Sequence, residues 1–173
     1  FAGRTLLTGG TVAIAGDDVR DALAPAIAQH RATRVAMTPP SLQLLLDQLV
    51  ARLGADRLDV SCLGGVMVTG SPAGPGLLAA AVVRLGPVVW QGYGQAESGM
   101  ISLLTPDELR RHGHAALTSV GRVLPEVEVR VDDDGEIWVR SEHVMSGYWD
   151  DPAATAVLDG RGLYRELERS RPD

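Results

Sequence analysis

The chain has 173 residues, 45% of them hydrophobic, with a formal net charge of −6 and a pI near 5.2. This length supports one hydrophobic core, or a core with a small satellite domain. The acidic balance and the scattered arginines give no indication of a surface for nucleic acid or anionic membranes. No apolar run reaches the length of a membrane span, and the start lacks an export pattern, so we expect a cytoplasmic protein.

The first half of the chain alternates short apolar runs with helical patterns. The β-branched residues of 11–15 predict a strand, and the spacing of apolar residues in 18–30 predicts a helix. A second strand is expected at 34–38, followed by a helix over 41–53 that Pro39 and Pro40 open. Two strand-then-helix units therefore follow one another.

The same unit then recurs. A buried strand is predicted at 63–69, a loop at 70–74, a helix at 75–85 and a strand at 87–90. Strands that alternate with helices imply a parallel sheet with right-handed crossovers, and such sheets bind ligands at the carboxyl ends of their strands. The loops that follow residues 69 and 90 both leave the sheet at that edge.

The pattern changes between residues 112 and 118, which divides an α/β half-domain (1–115) from a β-rich subdomain (116–173). Valines alternate with charged residues at 127–131, and alternation resumes at 137–139 after an Asp-Asp-Asp-Gly turn, which predicts a β-hairpin. We expect a small antiparallel sheet or barrel here, with a short helix at 152–158 capped by Asp150 or Asp151.

The stretch QGYGQAESG at 91–99 has two interpretations. Its glycines permit close approach, Tyr93 offers a flat face to a planar ring, and Glu97 offers the hard oxygen that Mg²⁺ prefers, so it suits a nucleotide. Alternatively it is a strand-to-helix turn with Glu97 near a helix N-terminus. The loop 70–75 is equally open between a ligand-facing loop and a simple turn before a helix.

Other candidate residues favour structural roles. Asp132, Asp133 and Asp134 are adjacent rather than alternating as a calcium loop requires, so they predict a hairpin turn. His112 and His114 lack a third ligand at useful spacing and are expected in a polar linker.

Taken together, five ordered stretches resemble the adenylate-forming superfamily of acyl-CoA synthetases, fatty acyl-AMP ligases and peptide-synthetase adenylation domains. They read CLGGVMVTGSPAGPGLL, VVWQGYGQAESG, SVGRVLPEVEVRV, GEIWVRSEHVMSGYWDDPAATA and GLYR, in that order. The preceding stretches TLLTGGTVAIAG and ATRVAMTPPSLQLLLD are similar to the same family, so the resemblance covers nearly the whole chain.

The resemblance implies a site for ATP or AMP and no catalytic residue in this chain. Two loops would contribute cofactor-binding residues: Gly70, Ser71 and Pro72 beside the adenine and the acyl pocket, and Gln91, Gly92, Tyr93, Gly94, Gln95 and Ala96 along the adenine and the acyl carbonyl. Tyr93 would stack on the base, and Glu97 matches the magnesium ligand. Glu168 falls where the family places an Asp that binds the ribose hydroxyls.

The implied reaction is attack of a carboxylate, expected to be that of an acyl chain, on the α-phosphate of ATP. It gives acyl-AMP and pyrophosphate, commonly followed by transfer to the thiol of CoA or of a carrier phosphopantetheine. Metal and cationic groups offset the charge that builds on the phosphate. Family members often carry a Thr phosphate contact where this chain has Ala96.

Departures from the family limit this expectation. All sixteen basic residues are arginines, and neither the Gly/Ser/Thr-rich phosphate loop with its Lys nor the C-terminal catalytic Lys is present. Position 1 is Phe1 rather than Met, so we expect a piece of something longer that does not turn over alone. Two alternatives are a non-catalytic remnant that binds a nucleotide or acyl-adenylate, and a structural half of a split enzyme that associates with its missing N-terminal half or as a homodimer.

Overall fold

The computed structural model describes residues 2–14, 19–52, 58–156 and 164–165. Contacts between residues divide the chain into two compact units. The first unit comprises Phe1–Gln91 and Leu104–Ser119, and the second comprises Gly92–Leu103 and Val120–Asp173. No helix among the described residues is long and apolar enough to cross a membrane.

The first unit combines helices with parallel strands. Its helices are α1 (Ala2–Leu7), α2 (Val19–His30), α3 (Pro39–Ala51), α4 (Pro75–Leu85), α5 (Pro106–His112) and a 3-10 helix (Gly113–Thr118). Its strands are β1 (Arg34–Met37), β2 (Gly65–Val68) and the start of β3 (Val89–Gln95). Both β1 and β3 pair with β2 in parallel, so the predicted β-α-β succession is confirmed.

Helices α3 and α4 show why these residues fold as they do. Each begins with a proline, whose missing N–H costs nothing in a first turn. Each buries one apolar face in the core that also holds β2. The buried members from α3, β2 and α4 are Leu42, Leu45, Leu46, Val66, Val68, Leu78 and Ala81. Gly86, at φ 83°, ends α4.

The strand predicted at 11–15 is wrong over its described part. Residues 11–14 have no strand pairing, and Ile14 is 89% exposed. β-Branched residues favour an extended chain chiefly by packing on a neighbouring strand, and within the described residues none lies beside them. Residue 15 lies outside the described part of the chain.

Strand β3 is longer than predicted and leads into a hairpin. It continues through Gln95, and after a turn at 96–98 the chain forms β4 (Gly99–Leu104). The interpretation of 91–99 as a turn into a helix is therefore wrong. The strand order is β1-β2-β3-β4-β5, where β5 is Arg122–Val123 and pairs antiparallel with β4.

The second unit carries the antiparallel hairpin that the alternating valines predict. Strands β6 (Glu128–Val131) and β7 (Ile137–Arg140) pair with Val131 opposite Ile137, and β8 (Tyr164–Arg165) pairs with β7. A barrel is not formed by the described strands, because β6 and β8 each pair only with β7 and leave the sheet open. The core of this unit is formed by Ile101, Val127 and Val139.

The hairpin turn explains the run of aspartates. The Asp132 carboxylate accepts a hydrogen bond from Trp138 Nε1 at 2.8 Å and lies 3.1 Å from Arg130 Nε. The Arg130 guanidinium also lies 5.4 Å from the centroid of the Trp138 ring. Asp132 therefore has a structural role in the turn, as its spacing predicts.

Candidate functional site

The loop after β2 leaves the sheet with its backbone accessible. Gly70 has φ 94°, a conformation that residues with a side chain rarely adopt, and Gly70, Ser71 and Pro72 are all accessible to solvent. The Thr69 amide donates to the Met37 carbonyl at 3.1 Å, so a backbone hydrogen bond holds the start of the loop to the end of β1. All three residues that the resemblance assigns to this loop are accessible to a ligand.

Gln91 is placed on β3 opposite Val68, the last residue of β2. It is 8% exposed, and its Nε2 donates to the Ser119 carbonyl at 3.0 Å. Its Oε1 is buried and accepts no hydrogen bond from any described residue. Since buried acceptors in proteins are nearly always satisfied, this oxygen is an exception among the described residues, and a donor from outside them reaches it only when the groups that cover it move.

Two of the three glycines of the hairpin are required by close backbone contact. A Cβ built on Gly94 would lie 2.1 Å from the Gly99 carbonyl oxygen, so no other residue fits there without a backbone shift. Gly99 has φ 72° and lies under His143, whose Cβ would be 3.0 Å from a Cβ at that position. The third, Gly92, is buried in the strand.

Tyr93 is half-buried and packs against the core of the second unit, which holds Ile101, Val127 and Val139. Tyr93 therefore takes part in the packing of this unit and keeps some exposed surface, and its stacking on a base stays a prediction. Gln95 is also half-buried, whereas Ala96 is exposed at the hairpin turn.

Glu97 lies at the hairpin turn and has two partners in the second unit. Its Oε1 accepts a hydrogen bond from the Tyr148 hydroxyl at 2.7 Å, and its backbone carbonyl accepts one from the Met145 amide at 2.7 Å. The hydrogen bond to Glu97 raises the pKa of Tyr148 above its usual 10.0, with smaller contributions from desolvation and from the carboxylate charge. The phenol therefore stays a hydrogen-bond donor.

The chemistry around Glu97 fits a magnesium ion bound together with a nucleotide. No group of three or more His, Cys, Asp or Glu side chains that could hold a metal ion occurs in the described residues. Mg²⁺ is commonly bound through one or two carboxylates, with water and substrate phosphates as its other ligands. A single carboxylate such as Glu97 would be enough for the protein's share of that coordination.

The sequence did not point to Tyr148 or to the residues that hold it in place. The Tyr148 amide donates to Thr155 Oγ1 at 3.0 Å, and Thr155 Oγ1 donates to the Asp151 carbonyl at 2.7 Å. Asp151 also caps the short helix α6 (Pro152–Thr155), because its Oδ1 accepts from the Ala154 amide at 2.8 Å. The only signal in the sequence is a Tyr shortly before a capped helix. Glu168, the predicted ribose ligand, lies outside the described residues.

A comparison with protein families gives a match over most of the chain. The family described as AMP-binding enzyme matches residues 4–149. This range includes every predicted cofactor-binding and metal-binding residue except Glu168, and it also includes Tyr148.

Three relatives illustrate the extent of the similarity. A 4-coumarate–CoA ligase-like protein 6 of Oryza sativa subsp. japonica is 32% identical over 168 residues, which is 89% of this chain and 27% of that protein. The amide bond synthetase McbA of Marinactinospora thermotolerans is 42% identical with a TM-score of 0.81, over 93% of this chain and 33% of that one. The O-succinylbenzoate coenzyme A synthetase MenE of Bacillus subtilis, in complex with AMP, is 25% identical with a TM-score of 0.70. This match covers 96% of this chain and 37% of that one. The chain thus spans about a third of the length of the proteins it matches.

Proposed function

Because this chain belongs to the family of AMP-binding enzymes, we propose that it forms the adenylate-binding part of an enzyme that activates a carboxylic acid with ATP. In this reaction a carboxylate oxygen attacks the α-phosphorus, the bond to pyrophosphate breaks, and acyl-AMP forms. The relatives named as a CoA ligase and an amide bond synthetase support this proposal, because thioesters and amides are both made from carboxyl groups. The thiol of CoA or of a carrier would then attack the acyl carbon, so that a thioester forms, the bond to the phosphate breaks and AMP is released.

The buried Oε1 of Gln91 is the observation that carries the proposal. A buried acceptor without a donor costs about 1–3 kcal/mol, and a ligand that supplies the donor recovers that cost. The exocyclic amine of adenine is a suitable donor. The Nε2 bond to the Ser119 carbonyl orients the amide group, so that the oxygen rather than the nitrogen is left for the ligand.

Other residues of the two units have proposed roles of their own. In the first unit, the accessible Gly70, Ser71 and Pro72 would contact the nucleotide through the backbone. In the second unit, Tyr93 would contribute its ring and Glu97 a ligand for Mg²⁺, which when bound offsets negative charge on the phosphates. The exposed Ala96 offers no hydroxyl to a phosphate, so that contact would be absent in this chain.

The proposal is tested with AMP and inosine monophosphate, which carries a carbonyl oxygen in place of the adenine amine. By isothermal titration calorimetry, we expect the chain to bind AMP about fivefold to thirtyfold more tightly than inosine monophosphate, which corresponds to one buried hydrogen bond. The variant Gln91→Met should lose most of this preference, because it fills the same space without an acceptor.

Gln43→Met serves as the matched control, since Gln43 is exposed on α3 and should not affect nucleotide binding. The preference of the unaltered chain requires no substitution, so it stands even if Gln91→Met folds poorly. If the chain binds neither nucleotide, the proposed function is wrong. If Gln91→Met folds and keeps the full preference for AMP, Gln91 does not recognise the amine.

A further inference from the structure

In the second unit, residues 141–148 lie against the turn of the β3–β4 hairpin. The Met145 amide donates to the Glu97 carbonyl at 2.7 Å, and the Tyr148 hydroxyl donates to the Glu97 carboxylate at 2.7 Å. His143 lies over Gly99, because a Cβ added to Gly99 would be 3.0 Å from the Cβ of His143. Glu97 is therefore held both through its backbone and through its side chain.

Tyr148 is itself fixed from the opposite side by the turn that leads into α6. Its amide donates to Thr155 Oγ1 at 3.0 Å, and Tyr148 forms an isolated antiparallel bridge with Asp151. Asp150 adopts φ 53° in this turn, and a Cβ on Gly147 would lie 2.7 Å from the Thr155 methyl group. The backbone of Tyr148 is therefore anchored by this turn, and its hydroxyl reaches the Glu97 carboxylate from that position.

The hydroxyl engages only one oxygen of the carboxylate. Tyr148 binds Oε1 of Glu97, and Oε2 accepts no hydrogen bond within the described residues. An ionised carboxylate has about four lone-pair sites, so a donor on one oxygen leaves the other able to bind a cation. Outer hydrogen bonds of this kind orient metal ligands and raise the affinity of their sites.

We propose that Tyr148 is a positioning residue for Glu97, which holds the carboxylate so that Oε2 faces a divalent cation bound with the nucleotide. This inference rests on the proposed function, because it takes Glu97 as the metal ligand. It adds that the turn preceding α6, through Thr155 and Tyr148, determines how well this part of the chain binds the metal–nucleotide complex.

The test measures binding of ATP with Mn²⁺ and of ATP in EDTA by isothermal titration calorimetry. We expect Tyr148→Phe to weaken binding of Mn²⁺-ATP about threefold to tenfold and to leave binding of metal-free ATP unchanged. Glu97→Gln should weaken Mn²⁺-ATP binding at least as much. Trp149→Phe is the matched control, since its side chain is 97% exposed, and it should bind like the unaltered chain.

A second measurement uses neither metal nor nucleotide. Hydrogen exchange at the Met145 amide should be about threefold to tenfold faster in Tyr148→Phe than in the unaltered chain, because the side-chain bond that holds the two segments together is lost. Unchanged exchange together with unchanged Mn²⁺-ATP binding in Tyr148→Phe would overturn the positioning role while leaving the proposed function intact. If the unaltered chain binds ATP neither with Mn²⁺ nor in EDTA, the proposed function is wrong, and this inference is wrong with it.

Discussion

At the scale of single residues, two glycines show how the surroundings decide what a residue does. Gly94 lies in β3, where a Cβ would meet the Gly99 carbonyl oxygen at 2.1 Å. Gly76 lies in the first turn of α4, where a Cβ would have nothing within 4 Å. The sequence alone does not separate these two glycines, and only the packing distinguishes them.

We therefore expect the same substitution to have opposite effects at these positions. Gly94→Ala should lower the free energy of unfolding by about 1–3 kcal/mol, because the added methyl group forces the hairpin backbone apart. Gly76→Ala should raise it by about 0.5–1 kcal/mol, because alanine loses less entropy in a helix. Urea denaturation followed by circular dichroism measures both. Equal effects of the two substitutions would contradict the close contact at Gly94.

At the scale of secondary structure elements, the structure decides between the two interpretations of the segment that follows β3. One of the two interpretations of 91–99 places a helix directly after it, but the chain turns back as β4 and only then forms α5. The turn is possible because Gly94 and Gly99 allow the two backbones to approach closely. A local pattern cannot reveal that contact, since the two residues meet only when the strands pair.

Helix α5 has a start signal that is readable in the sequence. Thr105 and Glu108 form a capping box, in which Thr105 Oγ1 accepts from the Glu108 amide at 3.2 Å and Glu108 Oε2 accepts from the Thr105 amide at 2.9 Å. The spacing Thr-x-x-Glu with Pro106 at the first helical position is typical of a helix N-terminus.

We expect Thr105→Ala to lower the free energy of unfolding by about 1 kcal/mol, because one orphan amide of the first turn loses its acceptor. Thr105→Ser keeps the hydroxyl and should retain most of the stability. Chemical denaturation of the three proteins gives the comparison. If Thr105→Ser is as destabilised as Thr105→Ala, the loss comes from packing of the Thr methyl group and the cap contributes little.

At the scale of the whole molecule, we expect the chain to bind a nucleotide without catalysing the adenylation of an acid. The chain has no lysine and spans about a third of the length of the proteins it matches. The adenylation reaction places negative charge on a phosphate, and a Lys amine is the kind of point charge that stabilises it. The residues that we propose to hold a nucleotide include no such amine.

We therefore expect this chain to release no pyrophosphate above background when incubated with ATP, Mg²⁺ and a panel of carboxylic acids. The same preparation should still bind AMP by calorimetry, which shows that the protein is folded and its nucleotide-binding residues are available. Release of pyrophosphate that depends on one of the acids would show that the arginines and Glu97 suffice for the reaction.

The amino-acid sequence by itself determined the β-α-β succession of the first unit, the hairpin at Val131 and Ile137, and the family to which the motifs belong. These features depend on local periodicity, on turn residues and on the order of short motifs, all of which are readable along the chain. Only the tertiary structure decided that 91–99 opens a hairpin, that Gln91 has a buried unsatisfied oxygen, and that Tyr148 lies on Glu97. The last contact joins residues 51 positions apart, and its geometry arises from how a turn and a short helix pack on the hairpin.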